Sequence, residues 1–343
     1  MAIPDLHGDL EHARRSFRIA GLTRADTGED SWAAPAGTHL VQTGDVLDRG
    51  DQSIAILNVL DAMATDAAAS GGSVTALLGN HELMTLTDDL SYVARDEIAR
   101  LGKASLEAQG LGGDEMGTGY GLRAYWSAGQ LVWKKLFRSD GVHGRRLRRN
   151  RLIAHVAGEG ACRTLFSHAG VTSEHLRSHG GTVDGINADG LAAIAGDPGR
   201  RLHRHDLFDG DGPLWNRFWS MHEPAREVCA ELDVVLAAVG ARRMVVGHTV
   251  QEDGMTTRCD GRLHLIDVGI SSRYVGRGAA WSCEDGVVRA HYEDETTVLE
   301  GGEAGAREGA RRGRAREDGS SEGGDGLEGE GVGGRGGFGR LWW

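Results

Sequence analysis

Two aspartates and an arginine within five residues constrain this chain most, in the stretch Val41-Gln42-Thr43-Gly44-Asp45-Val46-Leu47-Asp48-Arg49-Gly50-Asp51. Leu40 and Val41 read as the end of a buried strand, Gly44 lets the backbone turn, and the apolar run from Ile54 to Leu60 takes helical spacing. Asp45, Asp48 and Arg49 are therefore expected at a strand-to-helix corner. Taken alone, such a trio is as readily a solvated salt-bridge cluster as a site. Its weight comes from recurrence.

Four further corners have the same form. Ile3-Pro4-Asp5-Leu6-His7-Gly8-Asp9 precedes a helix expected over 10–20, and alternation along an extended segment points Asp5 and His7 to one side. A carboxylate beside an imidazole suits a divalent metal, the plain alternative being a helix N-cap with a surface histidine. The run Val74 to Leu78 ends in Gly79-Asn80-His81-Glu82, Thr164 to Phe166 ends in Ser167-His168-Ala169-Gly170, and Arg243 to Val246 ends in Gly247-His248-Thr249. In open α/β sheets, sites form outside the carboxyl ends of strands. Together the five corners supply Asp, His, Asp, Asn, His and His, the oxygen and nitrogen donors that hold two divalent ions around a shared carboxylate.

A chain of 343 residues with 40% hydrophobic content can bury a sizeable core, as one large α/β domain or two smaller ones. Its formal net charge of -12 speaks against general nucleic-acid or anionic-membrane binding. No segment approaches the roughly 20 apolar residues needed to span a bilayer. Cys162, Cys229, Cys259 and Cys283 are far apart and form no CxxC pair, so they read as reduced, buried thiols of an intracellular protein. The cytoplasm is the expected compartment. An organelle stays open because the chain begins inside its first strand.

The remaining stretches carry weaker signals. Residues 23–38 read as a polar linker, 52–69 as a helix closed by Gly71 and Gly72, and 124–137 as a helix within a cap or insert spanning about 95–160. The five arginines between Arg145 and Arg151 could meet an acidic substrate, but a solvated helix face is the simpler reading. His203 and His205, near Asp206, Asp209 and Asp211, read as a surface loop rather than another metal site. From about Glu300, sixteen of the final 44 residues are glycine, and the segment 300–343 is expected to be a disordered tail outside a domain of residues 1–295. Gly334-Arg335-Gly336-Gly337-Phe338 is a single, weak RGG-type fragment.

As an ordered set, Asp5-x-His7-Gly8, Gly44-Asp45-x-x-Asp48-Arg49-Gly50, Gly79-Asn80-His81-Glu82, His168-Ala169-Gly170 and Gly247-His248 resemble the motifs of calcineurin-like metallophosphoesterases of the phosphoprotein-phosphatase branch. VQTGDVLDRGDQ, Ser91-Tyr92-Val93, Gly212-Pro213-Leu214-Trp215 with Arg217, and VVGHTVQ make the chain most similar to the Shewanella-like protein phosphatases. The resemblance runs from the N-terminus to about His291. It implies an α/β fold of two mixed β-sheets flanked by helices, with a dinuclear metal site at strand-end loops.

By that resemblance, Asp5 and His7 hold one metal, Asp45 bridges, and Asn80, His168 and His248 complete the other shell. The two cations, Mn, Fe or Zn, share a water whose deprotonated form attacks phosphorus in line. Arg49 clamps the phosphoryl oxygens, His81 acts as general acid oriented by Asp48, and Arg217 supplies a second anion contact. Tyr274 lines the pocket or its rim. The expected substrate is a phosphorylated protein or a small phosphomonoester.

Three departures from the family pattern are Pro4 for a usual glycine, Ala169 for another, and Val250, which leaves no GHxH. A proline at position 4 fixes φ and bears on how Asp5 reaches a metal. A symmetrical dinucleoside-tetraphosphate hydrolase is the enzymatic alternative. A non-catalytic phosphate-binding scaffold and an RNA-binding protein are the alternatives from other classes.

Overall fold

The computed structural model describes residues 1–24, 28–111, 119–196 and 202–301. Strand β1 (Ala2–Ile3) leads into α1 (Leu10–Ile19), whose start Asp9 caps by accepting the His12 amide at 3.2 Å. The expected linker holds a small hairpin of β2 (Thr23–Arg24) and β3 (Gly28–Trp32). Next come β4 (His39–Gln42), α2 (Ser53–Ala69), β5 (Ser73–Leu77) and α3 (Asn80–Leu86). On α2, Ile56, Leu60, Met63 and Ala67 are buried, the three-and-four spacing that turns one helix face to a core.

Helices α4 (Arg95–Glu107), α5 (Gly119–Phe137) and α6 (Val142–Asn150) occupy the expected insert. They are followed by β6 (Arg151–Leu152), β7 (Ala154–Ala157), β8 (Thr164–Ser167), α7 (Ser173–Ser178) and α8 (Val183–Gly196). The rest comprises α9 (Phe218–Met221), α10 (Ala225–Val239), β9 (Arg243–Val246), β10 (Thr256–Arg258), β11 (Leu263–Leu265), β12 (Ala279–Glu284), β13 (Val287–Tyr292) and β14 (Thr296–Glu300). Strand β14 carries the sheet to Glu300, past residue 295. The tail expected to be disordered, with its Gly334–Phe338 fragment, lies outside the described residues.

Two mixed sheets result. One has the order β14-β13-β12-β1-β4-β5-β6 and the other β10-β11-β9-β8-β7. In the first, β1, β4, β5 and β6 run parallel, and in the second so do β8, β9 and β11. Parallel strands put their carboxyl ends along one edge of each sheet, so the corners gather there. Three contacts join the sheets, the last two of them at the opposite end. Trp281 of β12 meets Phe166 of β8 edge-on at 5.6 Å. Arg243, at the start of β9, donates from Nε and Nη2 to the Glu300 carboxylate at 2.7 and 2.9 Å. Cys162, just before β8, is bonded to Cys283 of β12.

That disulfide, with a second between Cys229 and Cys259, overturns the reading of four reduced thiols. The pairs are 121 and 30 residues apart in sequence, so only the folded sheets bring them together. The arginine run keeps a solvated face, with Arg145 and Arg149 exposed, and packs on its other side. Arg146 pairs with Asp61 at 2.6 Å, Arg148 donates to the Phe137 carbonyl at 2.9 Å, and buried Arg151 reaches Gln42 Oε1 at 3.3 Å.

Candidate metal centre

Six strand ends converge on one buried cluster. Asp5 follows β1, Asp45 follows β4, Asn80 follows β5, His168 follows β8, His248 follows β9 and Asp267 follows β11; all but His248 are nearly inaccessible to solvent. Asp45 Oδ2 lies at its middle, 3.4 Å from His168 Nε2, 3.8 Å from His7 Nε2 and 3.9 Å from His81 Nε2. Two groups of ligand atoms within 4.8 Å of one another share that carboxylate: His7, Asp45 and His81, and Asp45, His168 and His248. Asn80 Oδ1 adds an oxygen 3.0 Å from His168 Nε2. Among the described residues there is no other such group, and His205 instead pairs with Asp206 at 3.0 Å.

The histidines divide by what holds their outer nitrogen. His7 Nδ1 donates to the Leu47 carbonyl at 3.2 Å, His168 Nδ1 to the Thr43 carbonyl at 2.9 Å, and His248 Nε2 to the Trp215 carbonyl at 3.0 Å. A carbonyl can only accept, so each ring keeps its proton there and turns a bare lone pair inward, as a metal ligand must. His81 differs. Its Nδ1 lies 2.6 Å from Asp48 Oδ2, a carboxylate partner that favours the charged, proton-carrying ring.

The electrostatics follow that division for His7, His248 and His81, whereas in His168 burial is outweighed by the Asp45 charge and its pKa is raised. Burial, reinforced by the charge of His81, lowers the His7 pKa to about 3. Burial and the neighbouring His168 hold His248 well below the ordinary histidine range. In His81 burial works against the charged form, but the Asp45 charge and the Asp48 hydrogen bond outweigh it and raise the pKa. Burial followed by the charges of Asp267 and Asp45 raises Asp5, and burial pushes Asp267 up to about 6. Asp5 Oδ1 is buried without a hydrogen-bond partner, while Oδ2 accepts the His248 amide at 3.0 Å. Crowded buried carboxylates with an orphaned oxygen call for cations. The donor set fits two divalent ions.

Backbone geometry is spent on the same corners. Nine non-glycine residues with positive φ are found among the described residues, and five of them are His7, Asp45, Asp48, Arg49 and His248. Such strain persists only where surrounding contacts over-determine it. Glu82 supplies many of those contacts. Buried in α3, its carboxylate accepts the amides of Asp45 at 2.8 Å, Val46 at 2.9 Å, Leu47 at 3.0 Å and Gly79 at 2.8 Å. Gly44 and Gly79 allow the β4 and β5 corners to touch: a Cβ on Gly79 would stand 2.1 Å from Asp45 Oδ1.

The remaining expected residues surround the cluster. The Arg49 guanidinium stacks 4.0 Å over the Tyr92 ring and 5.8 Å from that of Tyr274. Tyr274, 38% exposed, stands 5.0 Å from the His7 ring. Arg217 donates from Nη1 to Thr249 Oγ1 at 3.0 Å, beside His248. Pro4 leaves Asp5 in the cluster, its ring at the end of the two-residue β1 where no ladder amide is needed.

A model of the calcineurin-like phosphoesterases matches residues 1–252. The chain belongs to this family. Among these phosphoesterases it is 32% identical over 291 residues to Shewanella-like protein phosphatase 2 of Arabidopsis thaliana, covering 79% of this chain and 71% of that one. Shewanella-like protein phosphatase 1 of Plasmodium berghei is 26% identical over 278 residues, 79% of this chain and 67% of that one. The crystal structure of a cold-active protein-tyrosine phosphatase from a psychrophilic Shewanella species superposes with a TM-score of 0.65 at 27% identity, covering 87% of this chain and 79% of that one. Membership makes this phosphoesterase a hydrolase, and family members of this kind use divalent ions. The sequence motifs pointed to these relatives. They missed Asp267, which follows the mostly apolar run Leu263–Ile266 with no turning residue before it and Gly269 only after it.

Proposed function

We propose that this phosphoesterase hydrolyses phosphomonoesters on proteins, with two divalent metal ions resident in the cluster. The observation that carries this reading is Asp45 Oδ2 set among three imidazole nitrogens, with Arg49 and the His81–Asp48 pair alongside. In the proposal Asp5, His7 and Asp45 hold one ion, and Asp45, Asn80, His168 and His248 the other. When bound, the ions neutralise the phosphoryl oxygens and acidify a water molecule.

The chain's own groups supply the rest. Arg49 presents planar donors to the phosphoryl oxygens, and Arg217 offers a second cation from the other side of the cluster. His81, protonated through its contact with Asp48, gives its Nε2 proton to the departing oxygen, and Asp48 fixes the ring's orientation. Glu82 and Asp267 hold the corners and add to the negative field. Tyr274 lines the rim where the phosphorylated side chain enters.

The names of the relatives favour a protein substrate over a dinucleoside polyphosphate. The two disulfides favour an oxidising compartment over the cytoplasm. The test is phosphate release from p-nitrophenyl phosphate, phosphoserine, phosphotyrosine and diadenosine tetraphosphate, with Mn²⁺ or a chelator, for the parent and His81→Ala. The variant should lose roughly 10²–10⁴-fold in kcat on phosphoserine and less on p-nitrophenyl phosphate, whose leaving group needs no proton. Equal losses on both would remove the general-acid role, and preferential cleavage of diadenosine tetraphosphate would replace the substrate class.

A further inference from the structure

The residue that positions Arg49 lies outside all the metal-ligand corners. Arg49 has no ion pair or side-chain hydrogen bond among the described residues, and its Nε is buried without a partner. A half-buried guanidinium is commonly held by a carboxylate. Here the holder is aromatic. Tyr92, in the turn between α3 and α4, places its ring 4.0 Å under the guanidinium carbon, and its carbonyl accepts the Arg49 amide at 3.0 Å. That amide belongs to a residue at φ +67, directly after Asp48 at φ +71, so the contact stabilises a left-handed pair.

We propose that Tyr92 is a positioning residue, an aromatic platform that orients Arg49 while leaving its donors free for the phosphoryl group. A carboxylate in the same place would occupy those donors and neutralise the charge. A ring face attracts the cation without accepting its N–H groups. The ring also meets His81 edge-on at 5.3 Å, which places it between the two groups that would face the substrate. The turn is itself fixed: Asp89 Oδ1 accepts the Ser91 amide at 2.9 Å, and Val93 is buried behind it. The Tyr92 hydroxyl makes no hydrogen bond among the described residues, so the face of the ring, and not its polar tip, is what acts.

The proposal rests on the phosphatase reading and is tested beside it. Mn²⁺-loaded parent, Tyr92→Phe and Tyr92→Leu are compared for KM and kcat on p-nitrophenyl phosphate, for inhibition by inorganic phosphate, and for metal content. Every variant keeps the carbonyl that holds the Arg49 amide, so differences report the ring. Tyr92→Leu should raise KM and the phosphate inhibition constant roughly tenfold, with kcat changed less than about threefold and the pH–rate profile in place. Tyr92→Phe should stay within about twofold of the parent. Should Tyr92→Leu lose its metals or its cooperative melt, Tyr92→Met, of similar reach without a ring, takes its place with the same expectation. Phosphate inhibition unaltered in the ring-less variant, or lost equally in Tyr92→Phe, overturns the platform. A parent that neither hydrolyses the ester nor binds phosphate overturns the phosphatase reading and the platform with it.

Discussion

Asp45 is one carboxylate serving three neighbours, and the atoms around it fix its orientation. Oδ1 accepts the His81 amide at 3.0 Å, while Oδ2 faces the imidazoles. The side chain cannot rotate without surrendering one set of contacts for the other. Gly79 stands against it with no room for a methyl group. Gly79→Ala is therefore expected to weaken metal binding roughly 10–100-fold by displacing Asp45, while the sheets stay folded. Metal titration by calorimetry, paired with a melting curve, checks this. Unchanged affinity would mean that the Asp45 corner shifts freely, against its strained φ of 52°.

The corner-bearing strands are short, and a distant element has to hold two of them in place. Strand β14 ends in Glu300, which accepts from both Nε and Nη2 of Arg243 at the base of β9, with His264 of β11 3.5 Å away. Arg243 is buried, so removing its partner strands a charge. Breaking a fully buried pair costs roughly 3–5 kcal/mol; Glu300 is 29% exposed, so about 2 kcal/mol is expected for Glu300→Gln near neutrality. Burial opposes ionisation of Glu300, but its bonds to His264 and Arg243 lower the pKa to about 2 from 4.5. The folded state thus binds the proton less tightly than the unfolded chain. The contribution is complete above the unfolded value and is lost as pH falls through about 2. Urea midpoints should separate parent and variant fully above pH 5 and approach each other below pH 4.5.

At the scale of the whole molecule, the ligands come from two sheets, and the cluster exists only while those sheets keep their registry. Asp5, His7, Asp45 and Asn80 belong to the first sheet, His168, His248 and Asp267 to the second. The Cys162–Cys283 bond joins the same two sheets at the other end, across 121 residues of sequence. In the chain-entropy view, closing so long a loop contributes ~5 kcal/mol. Replacing both cysteines by alanine should lower the thermal midpoint by that equivalent while Cys229–Cys259 stays closed; an unchanged midpoint would show the sheets held without it. Chelation should also lower the midpoint, because Asp5, Asp45, Asp267 and Glu82 would share one buried space without cations. A protein equally stable with and without chelator would argue against resident metals.

The sequence by itself determined the five corners, because each is a local event: an apolar run, a glycine, serine or proline that turns, and a polar residue beyond it. Helices 10–20 and 52–69 were legible as local runs, and the structure places them at Leu10–Ile19 and Ser53–Ala69. Only the tertiary structure decided what is set by residues far apart in the chain. It joined Cys162 to Cys283, buried Arg151 beside Gln42, and brought Asp267 to the cluster and Tyr92 beneath Arg49. No periodicity encodes such pairings, since each depends on which strand lies beside which.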